Sequence, residues 1–164
     1  MKVVIVGAGA VGTHLSKLLS REHQDCVLID DNEERLAALS EYDVMTYDAS
    51  PTSIKALKEA GVSHADLFVG VTPEETTNLT ACMIAHSLGA KKTVARIDNY
   101  EYLSQQNKEL FKQMGIDSLI YPEVLAAIDI NNGLKLSWVR QRWDVHDGAL
   151  TLLGIKLRET AEIL

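Results

Sequence analysis

Val3-Val4-Ile5-Val6-Gly7-Ala8-Gly9-Ala10-Val11-Gly12 decides the fold. Four consecutive β-branched apolar residues suit a strand buried on both faces, as in a parallel sheet. The glycines that follow read G-x-G-x-x-G, and Val11, Leu15, Leu18 and Leu19 then recur at helical spacing. A strand, this glycine pattern and a helix in that order form the context in which the motif carries meaning. Gly7 permits a tight turn, Gly9 lets the backbone approach a pyrophosphate, and Gly12 lets helix and strand pack closely. The helix N-terminus offers unpaired N–H groups and the positive end of its dipole to phosphates.

The pattern repeats outward from this stretch. Apolar, β-rich runs begin near Val3, Cys26, Val44, Leu67, Thr93 and Ser118, at intervals of 23, 18, 23, 26 and 25 residues. Helix-like segments lie between them. One follows the acidic start Asp30 to Glu34 and carries Leu36 and Leu39. The next has Ser50 as N-cap and Pro51 at its first position, carries Ile54 and Leu57 and ends at Gly61. Another carries Leu79, Cys82, Met83 and Ala85 and ends at Gly89, and a long one is expected over Tyr100 to Met114, closed by Gly115. Strands alternating with helices mean βαβ units with right-handed crossovers. The expected fold is α/β, a doubly wound parallel six-stranded sheet of order 3-2-1-4-5-6.

After Pro122 the period changes. Leu125, Ile128, Asn132, Leu136, Val139 and Trp143 fall three or four apart, which predicts one long helix with Gly133 as a weak point. Asp147-Gly148 reads as a turn, and Ala149 to Leu157 as a strand of a different unit. The expected organisation is 1–122 as the sheet domain, 123–147 as helix and linker, and 148–164 as the start of a further domain. The last residues, Ile163 and Leu164, are bulky and apolar, which reads as a cut through a longer chain.

Composition bounds the rest. The 164 residues are 46% hydrophobic and 24% charged, which excludes a disordered chain. A net charge of −7 argues against neutralising nucleic-acid phosphates. Cys26 and Cys82 are too few for a disulfide framework and fit a reducing cytoplasm. The apolar run from Val3 to Gly12 is too short to span a bilayer. The histidines show no metal-ligand spacing, and no G-x-S-x-G or C-x-x-C occurs. Ile84 stands where a P-loop ending at Gly89 would need its first glycine.

In an open parallel sheet, ligands bind at the carboxyl ends of the strands. Gly7, Ala8, Gly9, Ala10, Val11 and Gly12 end the first strand. Asp30 ends the second, with Asp31 beside it. A carboxylate there accepts hydrogen bonds from ribose hydroxyls and repels a 2′-phosphate, which favours NAD or NADH over NADP. Arg35 either faces that ribose edge or pairs with Glu33 or Glu34. Asp48 and Ala49 end the third strand, where they can flank an adenine. Val71 and Thr72 end the fourth. Arg96 ends the fifth, where it either meets a phosphate or pairs with Asp98 or Glu101. A dehydrogenase also needs a substrate cleft and a proton donor or acceptor. The residues after Pro122 are too few for that, so the chain reads as a nucleotide binder without chemistry or as a fragment of an NAD-dependent dehydrogenase.

Several motifs together resemble the TrkA family, cytosolic regulatory subunits of bacterial Trk potassium-uptake systems built on the RCK/KTN domain. They are VIVGAGAVG (Val4–Gly12), Val71-Thr72 with Asn78, Ala81-Cys82, Val94-Ala95-Arg96-Ile97, Glu101-Tyr102-Leu103 and Pro122-Glu123. The resemblance implies a Rossmann-like unit with a C-terminal crossover helix. It implies no enzymatic activity, a homo-dimer or ring formed through that helix, and a membrane potassium-channel subunit as partner. Location would be cytoplasmic, at the inner face of the membrane. It implies nucleotide contacts at Gly7, Gly9, Gly12, Asp30, Asp48, Thr72 and Arg96. ATP and ADP are the alternative ligands to NAD(H). Some relatives that distinguish them carry Arg where Ala10 stands, and that departure favours NAD(H). Glu123 matches a glutamate that in some relatives helps hold a metal; otherwise it starts the helix.

Overall fold

The computed structural model describes residues 1–135, 139–145 and 149–155, and it divides into two compact units, Met1–Tyr121 and Pro122–Leu164.

In the first unit, strands β1 (Lys2–Val6), β2 (Asp25–Asp30), β3 (Met45–Asp48), β4 (Leu67–Gly70), β5 (Thr93–Arg96) and β6 (Ser118–Ile120) form one sheet of order β3-β2-β1-β4-β5-β6. Every pairing is parallel. This is the doubly wound Rossmann-like order expected from the repeat. β1 lies between β2 and β4, with Val6 opposite Ile29 on one side and Gly70 on the other. The chain leaves β1 at the point where strand order reverses, and a cleft opens there for geometric reasons.

Helices α1 (Ala10–Arg21), α2 (Glu33–Ala37), α3 (Ile54–Glu59), α4 (Glu75–Leu88) and α5 (Gln105–Gln113) connect the strands. Alternating side chains of the strands feed two core layers. Val3, Ile5, Cys26 and Leu28 pack with Leu36 and Leu39 on one side. Val4, Val6, Val27, Ile29 and Phe68 pack with Leu57, Ala81, Cys82, Ala85 and Phe111 on the other. β1 is wholly inaccessible from Val3 to Val6, so an uninterrupted apolar run was the right signature for it.

Four local expectations are corrected. α1 does not bury a stripe through Val11 and Leu18, which are 46% and 45% exposed; its buried positions are Gly12 and Ser16, flanked by the partly buried Leu15 and Leu19. The helix is turned so that its smallest residue meets the glycine loop. Ser50 does not cap α3. Pro51 and Thr52 form a turn, Ser53 Oγ accepts from Ala56 N, and Ile54 is exposed. The long helix over Tyr100 to Met114 is two elements. A 3-10 turn spans Tyr100–Leu103, and Ser104 Oγ then accepts from Asn107 N to cap α5.

The fourth correction concerns the second unit. Its helix α6 runs Pro122–Lys135 and does not continue to Trp143. Val139 and Trp143 lie on β7 (Val139–Val145), which pairs antiparallel with β8 (Leu150–Ile155). Val139, Trp143 and Val145 stand at alternate positions with Arg140, Arg142 and Asp144 between them, and Gln141 is the one polar residue in the apolar series. That period, rather than the coincident spacing of Val139 and Trp143, decided the outcome. Leu136, the Asp147-Gly148 turn and the Ile163-Leu164 end lie outside the described residues.

Candidate functional site at the carboxyl edge of the sheet

Gly7 has φ +105°, and a Cβ there would stand 2.7 Å from Thr72 N. Only glycine satisfies both conditions. A Cβ on Gly12 would collide with the Gly7 carbonyl. Gly9 differs: its φ is −73° and nothing lies within 4 Å of a Cβ built on it. Gly7 and Gly12 therefore shape the turn, and Gly9 leaves open space in front of the α1 N-terminus. Ala8 is buried, while Ala10 and Val11 are exposed on the first turn of α1.

Asp30 is 4% exposed and braces this loop. Its Oδ2 accepts from Ala8 N at 2.5 Å and its Oδ1 from Asn32 N at 3.0 Å. Arg35 Nη1 stands 4.0 Å from Oδ1, so Arg35 lies beside Asp30; among the described residues it makes no pair with Glu33 or Glu34. Asn32 caps α2 by accepting from Arg35 N. Asp48 is the register partner of Asp30, and Ala49 N donates to the Asp30 carbonyl. Asp31 and Asp48 are exposed. Beside the loop a cleft of about 570 Å³ is lined by Ala8, Gly9, Ala10, His14, Lys17 and Arg35. Its charged lining is basic, which suits an anion.

The other half of the site is held by side chains. Asn78, 1% exposed, accepts through Oδ1 from Thr72 N and Thr72 Oγ1, both at 2.8 Å. Its Nδ2 donates to the Thr72 and Arg96 carbonyls, both at 3.0 Å. All four hydrogen bonds that an amide side chain offers are thus used. Thr72 N–H is consumed inward, so it is not a phosphate donor. Val71 is 5% exposed and stands as a wall of the turn. Glu75 Oε2 accepts from Asp98 N and Asn99 N, both at 2.8 Å, and fixes the loop that follows Arg96. Arg96 is partly exposed and, among the described residues, forms no salt bridge with Asp98 or Glu101.

The structure thus joins Gly7–Gly12 to Asp30 by the hydrogen bond from Ala8 N and to Thr72 by close approach, and joins Thr72 to Arg96 through Asn78. Glu75 and Asn32 were not singled out by sequence reasoning. An acidic residue opening a helix and an Asx residue before one were the available signals. Burial pushes the Cys26 thiol up, and pushes that of Cys82 up to about 12. Both are core residues, as expected. Among the described residues no three His, Cys, Asp or Glu side chains are grouped to hold a metal ion, and no helix is long and apolar enough to cross a membrane.

This fold and glycine loop define a Rossmann-like domain of the nucleotide-binding kind. The TrkA-N domain pattern matches residues 3–122, and the chain belongs to that family. The Trk system potassium uptake protein TrkA of Haemophilus influenzae is 41% identical over 134 residues, covering 79% of this chain and 29% of that protein. A TrkA homolog of Methanothermobacter thermautotrophicus is 40% identical over 129 residues, covering 77% of this chain and 57% of that protein. The chain thus spans well under two thirds of these relatives. Among solved structures, the TrkA-N domain of the inner membrane protein ybaL from Escherichia coli superposes with a TM-score of 0.69 at 17% identity, covering 81% of this chain and 96% of that one. The GsuK channel bound to NAD gives 0.59 at 19% identity, covering 73% of this chain and 21% of that one. These two likenesses concern the fold.

Proposed function

We propose that this chain is the NAD(H)-binding unit of a regulatory subunit of a potassium-uptake system, and that it has no catalytic role of its own. The observation that carries the reading is the loop from Gly7 to Gly12, with open space at Gly9 and a buried carboxylate, Asp30, behind it. Family membership supports the potassium-transport context. In this reading the N–H groups at the start of α1 hold the pyrophosphate. Asp30, with lone pairs left beyond its two backbone donors, takes a ribose hydroxyl. Asp48 and Ala49 flank the adenine, and Thr72 and Arg96 face the far half of the ligand. When bound, the dinucleotide supplies a signal of redox state.

The partners follow from the same reading. Leu125 and Ile128 lie on one side of α6, Ile130 and Leu134 on the other, and all four are exposed. A helix with apolar residues on both sides is built to be covered. A second copy of the chain, as a dimer or ring, is the proposed cover, with a membrane potassium-channel subunit receiving the assembly at the cytoplasmic face. A ligand shifts such an assembly only by binding two of its states unequally, so oxidised and reduced nicotinamide must differ at the Thr72 and Arg96 side.

Calorimetric titration of NAD, NADH, NADPH, ATP and ADP tests the ligand. NADH should bind about tenfold or more tightly than NADPH, a difference of roughly 1.4 kcal/mol. Tight NADPH with weak NADH, or an Asp30→Ala variant that binds NADH as well as the parent, would overturn it.

A further inference from the structure

We propose that Glu75 is a positioning residue for the nucleotide site: from the first turn of α4 it sets the place of Arg96, with Asn78 as its partner one turn on. The proposal rests on the reading of Arg96 as a nucleotide contact and adds the device that places it.

Glu75 and Asn78 are three residues apart and so share a helix face. Asn78 grips the chain on the Arg96 carbonyl, and Glu75 grips it again two and three residues later, at the N–H groups of Asp98 and Asn99. Asn99 Oδ1 in turn accepts from Glu101 N, which ties this loop to the following 3-10 turn. The backbone on both sides of Ile97 is thus anchored to one helix face, and Ile97 itself is 1% exposed. Arg96 is the last residue of β5, at the edge where its sheet partner β6 has reached Ile120. Among the described residues its guanidinium has no carboxylate within 4 Å, so no ion pair fixes it, and the backbone sets where the side chain starts. A carboxylate that accepts two N–H groups at 2.8 Å is a strong anchor. Removing it releases the loop on one side of Arg96 while Asn78 keeps the other. The cationic group then samples more positions, and a contact with a ligand phosphate loses its preorganisation.

A double-mutant cycle read by NADH titration decides the matter. Arg96→Ala should weaken NADH binding about tenfold or more, the scale of one charged hydrogen-bonded contact. Glu75→Ala should weaken it about five- to tenfold, yet change it less than about twofold when Arg96 is already Ala, because residues acting as one unit are not additive. Glu75→Gln keeps an acceptor oxygen and should restore binding to within about twofold. Glu75→Asp, too short to reach both N–H groups, should fall between and carries the same cycle if the Ala variant does not fold. Equal losses in both Arg96 backgrounds would overturn the proposal, as would a Gln variant as weak as Ala. Loss with Arg96→Ala but none with Glu75→Ala defeats the positioning role alone. No loss with Arg96→Ala defeats the nucleotide contact itself and the positioning role with it.

Discussion

The two halves of the site solve one problem by different means. The half around β1 and β2 is shaped by missing side chains: Gly7 and Gly12 let backbone meet backbone, and a single carboxylate, Asp30, braces the result. The half around β4 and β5 is shaped by side chains that are present, since Asn78 and Glu75 supply the partners that hold Thr72 and the Arg96 loop. The first arrangement has almost no tolerance, because close-packed backbone cannot yield. The second is held by hydrogen bonds that can be removed one at a time.

The largest effect should come from adding one methyl group to the first half. Gly12→Ala places a Cβ on the Gly7 carbonyl and should lower unfolding stability by roughly 1–3 kcal/mol or more while abolishing NADH binding, read by urea unfolding and titration. Gly9→Ala sharpens the contrast. Its Cβ meets no protein atom, so stability should stay within about 0.5 kcal/mol while NADH affinity drops sharply, because the methyl occupies ligand space. A stability loss at Gly9 equal to that at Gly12 would remove the distinction between shaping and contact glycines.

In the second half, Asn78→Ala leaves buried Thr72 and Arg96 backbone groups without partners, and should cost about 1–3 kcal/mol in urea unfolding. An effect absent at neutral pH involves Cys82, one turn further along α4, whose Sγ donates to the Val94 carbonyl at 3.4 Å. Its folded pKa is raised to about 12, above the ordinary 9.0 of the unfolded chain. The stabilising contribution is therefore complete below pH 9.0 and is lost as pH rises toward 12. The parent should lose stability relative to Cys82→Ala by about 1 kcal/mol per pH unit in that window. An unchanged difference between the two across that range would count against the buried thiol.

The smallest effect is a control at the opposite end of the sheet. There Lys91 Nζ and Lys2 N both donate to Asp66, and they hold its carboxyl below its ordinary 3.8. That contribution is present above pH 3.8 and fades as pH falls through the depressed value. Asp66→Asn should lower the unfolding midpoint slightly at pH 7, converge with the parent in acid, and leave NADH binding untouched.

The asymmetry also explains what could be read in advance. The sheet order followed from apolar runs and their spacing, because a strand buried on both faces leaves a continuous hydrophobic signature. The glycine loop was legible because only one residue type fits its geometry. Asn78 stood out only through its part in a family pattern, and Glu75 not at all: a polar residue on a helix gives no sign in the sequence of which backbone it will reach. Asp30 was read as a ligand contact, yet its first structural task is to hold Ala8 and Asn32. The residue spacing after Pro122 overstates the helix, because Val139 and Trp143 fit a helical spacing by chance, and the pairing partner that makes them a strand, β8, lies several residues further on.

In the proposed function both halves of the site meet one ligand. Amide chemical shifts of the isotope-labelled chain during NADH titration test this most directly. Ala8, Gly9, Ala10 and Val11 should shift together with Thr72 and Ile97, saturating at one common concentration. Shifts confined to one half, or two halves that saturate at different concentrations, would contradict it.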